Sequence, residues 1–238
     1  MAKYINFWDL KHFKEGKLMK SFLRTVDPTV FISLKSKNIT SLNDLSGKTI
    51  ASIGAQKTIM KIILQKNGFN HRNSEFIPKK YGINSLYDEN VDLLWGVSIN
   101  ELIEIQSNNL DVNILYPKDY GFESQYNVIF TTKELVKKNP ELVFSFVQAT
   151  LKGWQYVLDN PTKSQNFVFE YDSGLNVRHQ EFMFIESLNY INPEKSVELG
   201  TMTKEKWQKL YNELESINEI EQSFNVEEMF TNEFIIKE

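Results

Sequence analysis

The sequence predicts an α/β protein in which a mostly parallel sheet is followed by a helical carboxyl-terminal part. Short β-branched and aromatic runs alternate with helical stretches in the middle third of the 238 residues, which indicates crossover connections between parallel strands. After residue 131 the apolar period becomes helical. Hydrophobic residues make up 41% of the chain, enough for the core of one large domain or of two lobes.

The α/β part follows from local runs and turn signals. Asp27-Pro28 opens the first apolar run, and Gly54 and Asn67-Gly68 bound the first helix. Buried strands are predicted at 29–34, 48–53, 75–78, 91–97, 112–115 and 126–131. Helices are predicted between them at 58–66, 84–88 and 100–107.

The helical part begins with a clear start signal. Asn139 can accept a backbone N–H, Pro140 suits the first helical turn, and Glu141 faces the positive end of the helix dipole. One apolar stripe between 143 and 158, with Phe146 and Trp154 in it, is expected to be core. Further helices are predicted at 161–171, 177–188, 204–214 and 226–230.

The charge pattern argues against nucleic acid as a partner, because a net charge of -4 provides no field that attracts phosphates. The distribution is uneven, with six Lys/Arg in residues 1–24 and eleven acids in residues 194–238. These runs are interpreted as solvated helix faces, and a basic membrane-surface helix is the alternative.

Cysteine is absent, which excludes disulfides, thiolate metal sites and a cysteine nucleophile. The histidines, His12, His71 and His179, lie far apart, so neither a metal site nor a cofactor is predicted. No stretch approaches the ~18 apolar residues of a membrane span, and residues 1–6 lead into no apolar segment. As written, the chain is predicted to be neither inserted into a membrane nor exported.

Two strand ends carry the candidate binding residues. Gly54 and Gln56 follow one strand, where the first amides of a helix can bind a polar ligand. Trp95 lies near the end of another strand, with Asn100 and Glu101 after it, and these three would suit stacking and hydrogen bonding to a flat heterocycle. Both ends would lie on the rim where open α/β sheets bind ligands. The alternative is structural: such turns are common, Asn100 can cap its helix, and Glu101 can complement the dipole.

Five segments, in order and spacing, resemble bacterial solute-binding proteins for thiamine-precursor pyrimidines, a class close to the nitrate, sulfonate and taurine binders. The resemblance runs from about Leu18 to Phe234. Its segments are Asp44 to Ile50, Asp111 to Gly121, Asn139 to Val143, Lys152 to Tyr156 and Gly200 to Trp207.

The resemblance implies the two-lobed, periplasmic-binding-protein-like (type II) fold, with ligand held between the lobes. It implies a first lobe from 1–46 and 123–238 and a second, α/β lobe from 47–122. Family members carry roughly one more pair of strand–helix units before Asp27, so the first lobe is expected to be shortened and incomplete. Extracytoplasmic or periplasmic location is implied, and cytoplasmic location if the chain is complete.

The family's Asn-Glu turn matches Asn100 and Glu101, and its glycine matches Gly96. Val97, Ile99 and Leu102 replace the aromatic, Thr and Pro of that turn, and Ser124-Gln125-Tyr126-Asn127 replaces Phe-Tyr-Gly-Asp. These departures bear on ligand identity more than on fold. The expected ligand-binding residues are Gly54, Gln56, Trp95, Asn100, Glu101, Tyr126 and Asp27.

The function predicted from this resemblance is non-catalytic binding of a small polar heterocycle such as a thiamine-precursor pyrimidine. The expected partners are the ligand and an ABC permease or a fused or associated signalling enzyme. One alternative is a degenerate scaffold that has lost its ligand. The other is a thiamine pyrimidine synthase-like enzyme, which the absence of cysteine disfavours because the related enzymes use a Cys-rich loop.

Overall fold

The computed structural model describes residues 3–5, 16–24, 27–70, 73–123, 126–191, 198–220 and 223–235. Its strands are β1 (Lys3–Ile5), β2 (Gly16–Arg24), β3 (Thr29–Leu34), β4 (Thr49–Ser52), β5 (Glu75–Pro78), β6 (Leu93–Val97), β7 (Val112–Leu115), β8 (Tyr126–Thr132) and β9 (Phe230–Thr231). Its α-helices are α1 (Gly54–Lys66), α2 (Glu101–Ser107), α3 (Lys133–Lys138), α4 (Pro140–Asp159), α5 (Pro161–Ser164), α6 (Phe167–Tyr171), α7 (Val177–Leu188) and α8 (Lys204–Ser216).

The chain divides into two compact units. Unit 1 comprises Met1–Asp27, Ser124–Asn212 and Ile220–Glu238, and unit 2 comprises Pro28–Glu123 and Glu213–Glu219. The predicted boundary at 46/47 differs from this division. Residues 28–46 belong to unit 2 because β3 is hydrogen-bonded between β6 and β7 within that unit's sheet.

Unit 2 contains a five-stranded sheet in the order β5-β4-β6-β3-β7. β4 is parallel to both β5 and β6, whereas β3 is antiparallel to both β6 and β7. Four strands therefore share one direction, as the strand–helix alternation predicts, and β3 alone runs the other way within this sheet. The alternation carries no information about β3 because no crossover helix precedes it.

Both faces of this sheet are covered. One face forms a core with α2, in which Val30, Ile32, Ala51 and Leu94 pack with Ile105. Alternate strand residues point to the other face, and these are Phe31, Ile50, Leu93 and Leu115, all 4% exposed or less. α1 contributes the buried Ile59, Met60, Ile62 and Ile63. The sheet of unit 2 is therefore packed on both faces.

Unit 1 contains a four-stranded sheet in the order β1-β8-β2-β9 and all the helices from α3 to α7. β8 is antiparallel to β1 and β2, and β9 is parallel to β2. Its core joins Ile129, Val143, Val147 and Phe234. Among the described residues, the helices include none that combines the length and the apolar character needed to cross a bilayer.

Three predictions about unit 1 are wrong. Residues 16–24 form a strand and not a solvated helix face, because β8 satisfies their backbone groups. Residues 226–230 form a 3₁₀ turn and then β9, because Phe230–Thr231 pair with β2. The helix predicted at 161–171 is divided into α5 and α6.

The core stripe predicted on α4 is only partly buried. Val143 and Val147 are buried, but Phe146 is 45% exposed. Phe146 lies one residue from Val147, which is 100° around the helix, so one stripe cannot bury both fully. A second, exposed apolar stripe thus runs along α4 through Leu142 and Phe146.

Candidate ligand-binding site

The candidate site lies at one edge of the unit 2 sheet, where the parallel strands β4, β5 and β6 end. Ser52 is paired with Pro78, and Ala51 is paired with Leu94, so the residues that follow these strands emerge together. In open α/β sheets this edge is the usual place for ligands. The residues discussed below follow β4, follow β5, or lie at the end of β6.

A buried ion pair joins two of these strand ends. Lys79, directly after β5, bonds through Nζ to Oε1 of Glu101 at the start of α2, and the two side chains are only 9% and 5% exposed. The second carboxylate oxygen, Oε2, accepts the backbone N–H of Val97 at 2.8 Å. Both oxygens of Glu101 are therefore engaged within unit 2, and Glu101 holds Lys79 and the end of β6 in place.

Gly96 makes this arrangement possible. A Cβ on residue 96 would lie 2.9 Å from Cβ of Glu101 and 3.1 Å from Cδ1 of Ile32. Only a residue without a side chain lets the first turn of α2 approach β6 this closely. The glycine therefore sets the position of the Glu101 carboxylate.

Trp95 is buried beside the ion pair. Its side chain is 8% exposed, Nζ of Lys79 lies 4.8 Å from the ring centroid, and the indole Nε1 has no hydrogen-bond partner. Stacking of a ligand on Trp95 stays a prediction. What the geometry provides is a buried N–H donor without a partner, on β6 beside the ion pair.

Gln56 and Gly54 lie at the start of α1, directly after β4. The helix begins at Gly54, and its N-cap residue, Ile53, provides no side-chain hydrogen bond. The first amides of such a helix have no acceptor within it. Gln56 is 5% exposed, and its Oε1 has no partner. An unused acceptor thus lies at the end of β4, in the same unit as the unused donor of Trp95.

The other expected residues are placed as follows. Asn100 is the half-buried N-cap residue of α2 and makes no side-chain capping bond. Asp27 precedes Pro28, whose carbonyl accepts the N–H of Ser98 at 2.8 Å. Asp27 and Tyr126 fall in unit 1, and the side chain of Tyr126 lies outside the described part of the structure. The structure therefore gathers Gly54, Gln56, Trp95, Asn100 and Glu101 in one unit.

His12, His71, Ser124 and Gln125 lie outside the described residues. Within the described residues no group of three His, Asp or Glu side chains is arranged to hold a metal ion.

Lys79 is the residue that sequence reasoning missed. A signal was present, since Lys79 follows β5 just as Gly54 follows β4. Two further lysines lie nearby: Lys57 is over the ring of Phe76 at 5.1 Å, and Lys80 bonds Asp88 at 2.7 Å. The pKa of Asp88 is lowered below its ordinary value, mainly by the hydrogen bond that it accepts from Lys80.

A small cavity of about 40 Å³ lies elsewhere in unit 2 and is lined in part by Leu42, Leu64 and Phe69. A space of that size holds a water molecule and not a solute. None of the residues that line the cavity belongs to the candidate site, so the two are separate.

Residues 11–164 match the family described as NMT1/THI5 like. The chain belongs to that family. This membership confirms the resemblance recognised from the five sequence segments.

Three relatives bear names that describe their function. The riboflavin-binding protein RibY of Chloroflexus aurantiacus is 26% identical over 87% of this chain and 62% of its own length. The formylaminopyrimidine-binding protein of Halalkalibacterium halodurans is 23% identical over 83% and 62%. The 4-amino-5-hydroxymethyl-2-methylpyrimidine phosphate synthase of Legionella pneumophila is 22% identical over 87% and 66%. The chain thus spans slightly less than two thirds of these relatives.

Solved structures confirm the fold. The periplasmic aliphatic sulphonate binding protein SsuA from Escherichia coli aligns with a TM-score of 0.71 at 9% identity, over 96% of this chain and 78% of that one. At such low identity the likeness establishes the periplasmic-binding-protein fold alone.

Proposed function

We propose that this member of the NMT1/THI5-like family binds a small polar heterocycle, such as a thiamine-precursor pyrimidine, without catalysing a reaction. Two relatives named for binding a flavin and a pyrimidine support the ligand class. The observation that carries the proposal is the presence in unit 2 of two buried polar atoms without a partner, the Nε1 donor of Trp95 on β6 and the Oε1 acceptor of Gln56 on α1. A heterocycle with a ring nitrogen and an amino group offers both complements.

A bound heterocycle would provide hydrogen-bond partners for the buried polar atoms of Trp95 and Gln56. A buried donor or acceptor without a partner costs about 1–3 kcal/mol. A ligand that bonds Trp95 and Gln56 would recover part of that cost, and the open amides at Gly54 would add a further contact for an oxygen. Asn100 would orient the polar edge of the ligand.

The proposed biological role is solute recognition outside the cytoplasm, for an ABC-type permease or for a signalling enzyme. The periplasmic sulphonate binder with the same fold supports this location. Binding without catalysis is proposed although one relative is named as a synthase. The chain has no cysteine, and a Cys-rich loop is the feature expected of the enzymes.

The test is calorimetric titration with 4-amino-5-hydroxymethyl-2-methylpyrimidine, its formylamino analogue and riboflavin. Trp95→Phe removes the indole N–H and keeps an aromatic ring, so we expect the affinity to fall by about 2- to 10-fold, the value of one hydrogen bond. Trp207→Phe is the matched control, because Trp207 in α8 of unit 1 also has a buried Nε1 without a partner.

Affinity in Trp207→Phe should equal that of the wild-type protein. The proposal fails if none of the three compounds binds, or if the two tryptophan variants behave alike. Formation of a pyrimidine product on incubation with pyridoxal phosphate and iron would overturn the non-catalytic part.

A further inference from the structure

We infer that the site admits an uncharged solute and rejects sulfonates and other small anions, and that Glu101 sets this preference by neutralising Lys79. The inference rests on the proposed function and specifies the ligand's charge. It distinguishes this chain from the sulphonate binders whose fold it shares.

Charge balance at the strand ends is the first step. An anion binds a buried cation whose charge is available, and among the described residues Lys79 is the most buried cation of this edge, at 9% side-chain exposure. Its charge is already matched by Glu101, which is buried as well. An incoming sulfonate would meet a neutral pair and would lose its hydration without gaining a counter-charge.

The second step is that Glu101 cannot easily turn away. Its Oε2 is held by the N–H of Val97 at 2.8 Å, and its Cβ and Cγ are packed where a side chain on Gly96 would be. Lys79 is in turn placed over the ring of Trp95. The pair is therefore fixed from both sides, and an anion cannot replace Glu101 without breaking these contacts.

The remaining positive groups at this edge are weaker sources of attraction. Lys80 is paired with Asp88. Lys57 is exposed and lies over Phe76, where water screens its charge. The start of α1, with no acid in its first turn, carries about half an elementary charge, which suits a carbonyl or hydroxyl oxygen better than a full anion.

The experiment compares an uncharged and an anionic probe on four proteins. 4-Amino-5-hydroxymethyl-2-methylpyrimidine and ethanesulfonate are titrated at pH 7.5 into the wild-type protein, Glu101→Gln, Lys79→Met/Glu101→Gln and Glu104→Gln. We expect the wild-type protein to prefer the pyrimidine by about 100-fold or more, since Glu101 already neutralises Lys79, the buried lysine of this edge. Glu101→Gln frees Lys79 and should raise ethanesulfonate affinity by about 10-fold or more.

The controls separate charge from packing. The double variant lacks both charges and should show no gain for ethanesulfonate. Glu104→Gln changes another acid in the first turn of α2 and should behave like wild type. Circular dichroism checks that each variant is folded. A salt series on the wild-type protein gives an independent readout. Because the pyrimidine binds beside a neutral pair, its affinity should change less than about threefold between low and high KCl.

The inference is overturned if the wild-type protein binds ethanesulfonate within about tenfold of the pyrimidine, or if folded Glu101→Gln gains no sulfonate affinity. A steep loss of pyrimidine affinity with salt would also overturn it. Failure of the proposed function looks different: the pyrimidine does not bind the wild-type protein, whatever Glu101→Gln does with the sulfonate.

Discussion

Gly96 controls the geometry of the site without carrying any chemistry of its own. Gly96→Ala places a methyl group 2.9 Å from Glu101 and 3.1 Å from Ile32. Since neither neighbour is the flexible end of a long side chain, we expect a loss of about 1–3 kcal/mol in unfolding free energy. The control is Gly153→Ala in α4, where the new methyl meets nothing within 4 Å and should stabilise the helix by about 0.5–1 kcal/mol. Urea denaturation of both variants measures the difference, and equal changes would contradict the packing argument.

At the residue scale, some of the site could be predicted and some could not. Gly54, Gln56 and Trp95 are marked by their place at strand ends, which a local pattern reveals. The partner of Glu101 is not, because Lys79 is 22 residues away and reaches it only through the pairing of β5, β4 and β6. The sequence also predicts that Glu101 binds the ligand, whereas both of its carboxylate oxygens are bonded within unit 2.

At the element scale, Asp44 fixes the short 3₁₀ turn at Leu42–Leu45 through a capping box with Ser41. Its Oδ2 accepts the backbone N–H groups of Thr40 and Ser41, both at 2.9 Å. These bonds lower the pKa of Asp44 below 3.8, and the bond from Thr40 has the largest effect. The stabilisation is therefore fully present above about pH 3.8, the unfolded value, and is lost as the pH falls through the lower folded pKa.

We expect Asp44→Asn to melt at a lower temperature than wild type at pH 7, and the gap to close as the pH falls below 3.8. Thermal melts across the acid range measure the gap. Nuclear magnetic resonance titration of the Asp44 carboxyl gives the folded pKa directly, and a midpoint at or above 3.8 would refute the account.

Variants on the two sides of α4 show how burial differs around one helix. Val147 is fully buried against Ile129 and Phe234, so Val147→Ala should cost about 2 kcal/mol. Leu142 is 59% exposed, and Leu142→Gln should change stability by less than about 0.5 kcal/mol. Chemical denaturation distinguishes the two, and a large loss in Leu142→Gln would show that the exposed stripe is covered in solution.

At the scale of the whole molecule, the late segment Glu213–Glu219 completes unit 2. Glu219 bonds Lys61 at 3.0 Å, with side chains 10% and 23% exposed. We expect Glu219→Gln to lower the unfolding free energy by about 1 kcal/mol, more than an exposed pair provides. Glu134→Gln is the control, because its pair with Lys138 is about 70% exposed on both sides. Hydrogen exchange at the α1 amides should become faster in Glu219→Gln, and unchanged exchange there would contradict the prediction.

The fold was predictable where its signals are local. The strands and helices of unit 2 follow from apolar runs, turns and alternation, and most of them appear within a few residues of their predicted bounds. Unit 1 was less predictable because β2 pairs with β8 more than 100 residues later, and β9 pairs with β2 across most of the chain. Long-range pairing overrides local preference in these segments.

The contacts of Lys61 and Lys66 also constrain the order in which the interactions of unit 2 can form during synthesis. Their acceptors, Glu219 and Glu213, come 158 and 147 residues later. During synthesis, the strands of the unit 2 sheet are complete by residue 115, and Lys66 can already bond the carbonyl of Gly121 at 2.6 Å, but the carboxylates of Glu213 and Glu219 are made only much later. A ribosome stalled before Glu213 would therefore carry the whole sheet of unit 2 without the Glu213–Glu219 segment and its two ion pairs.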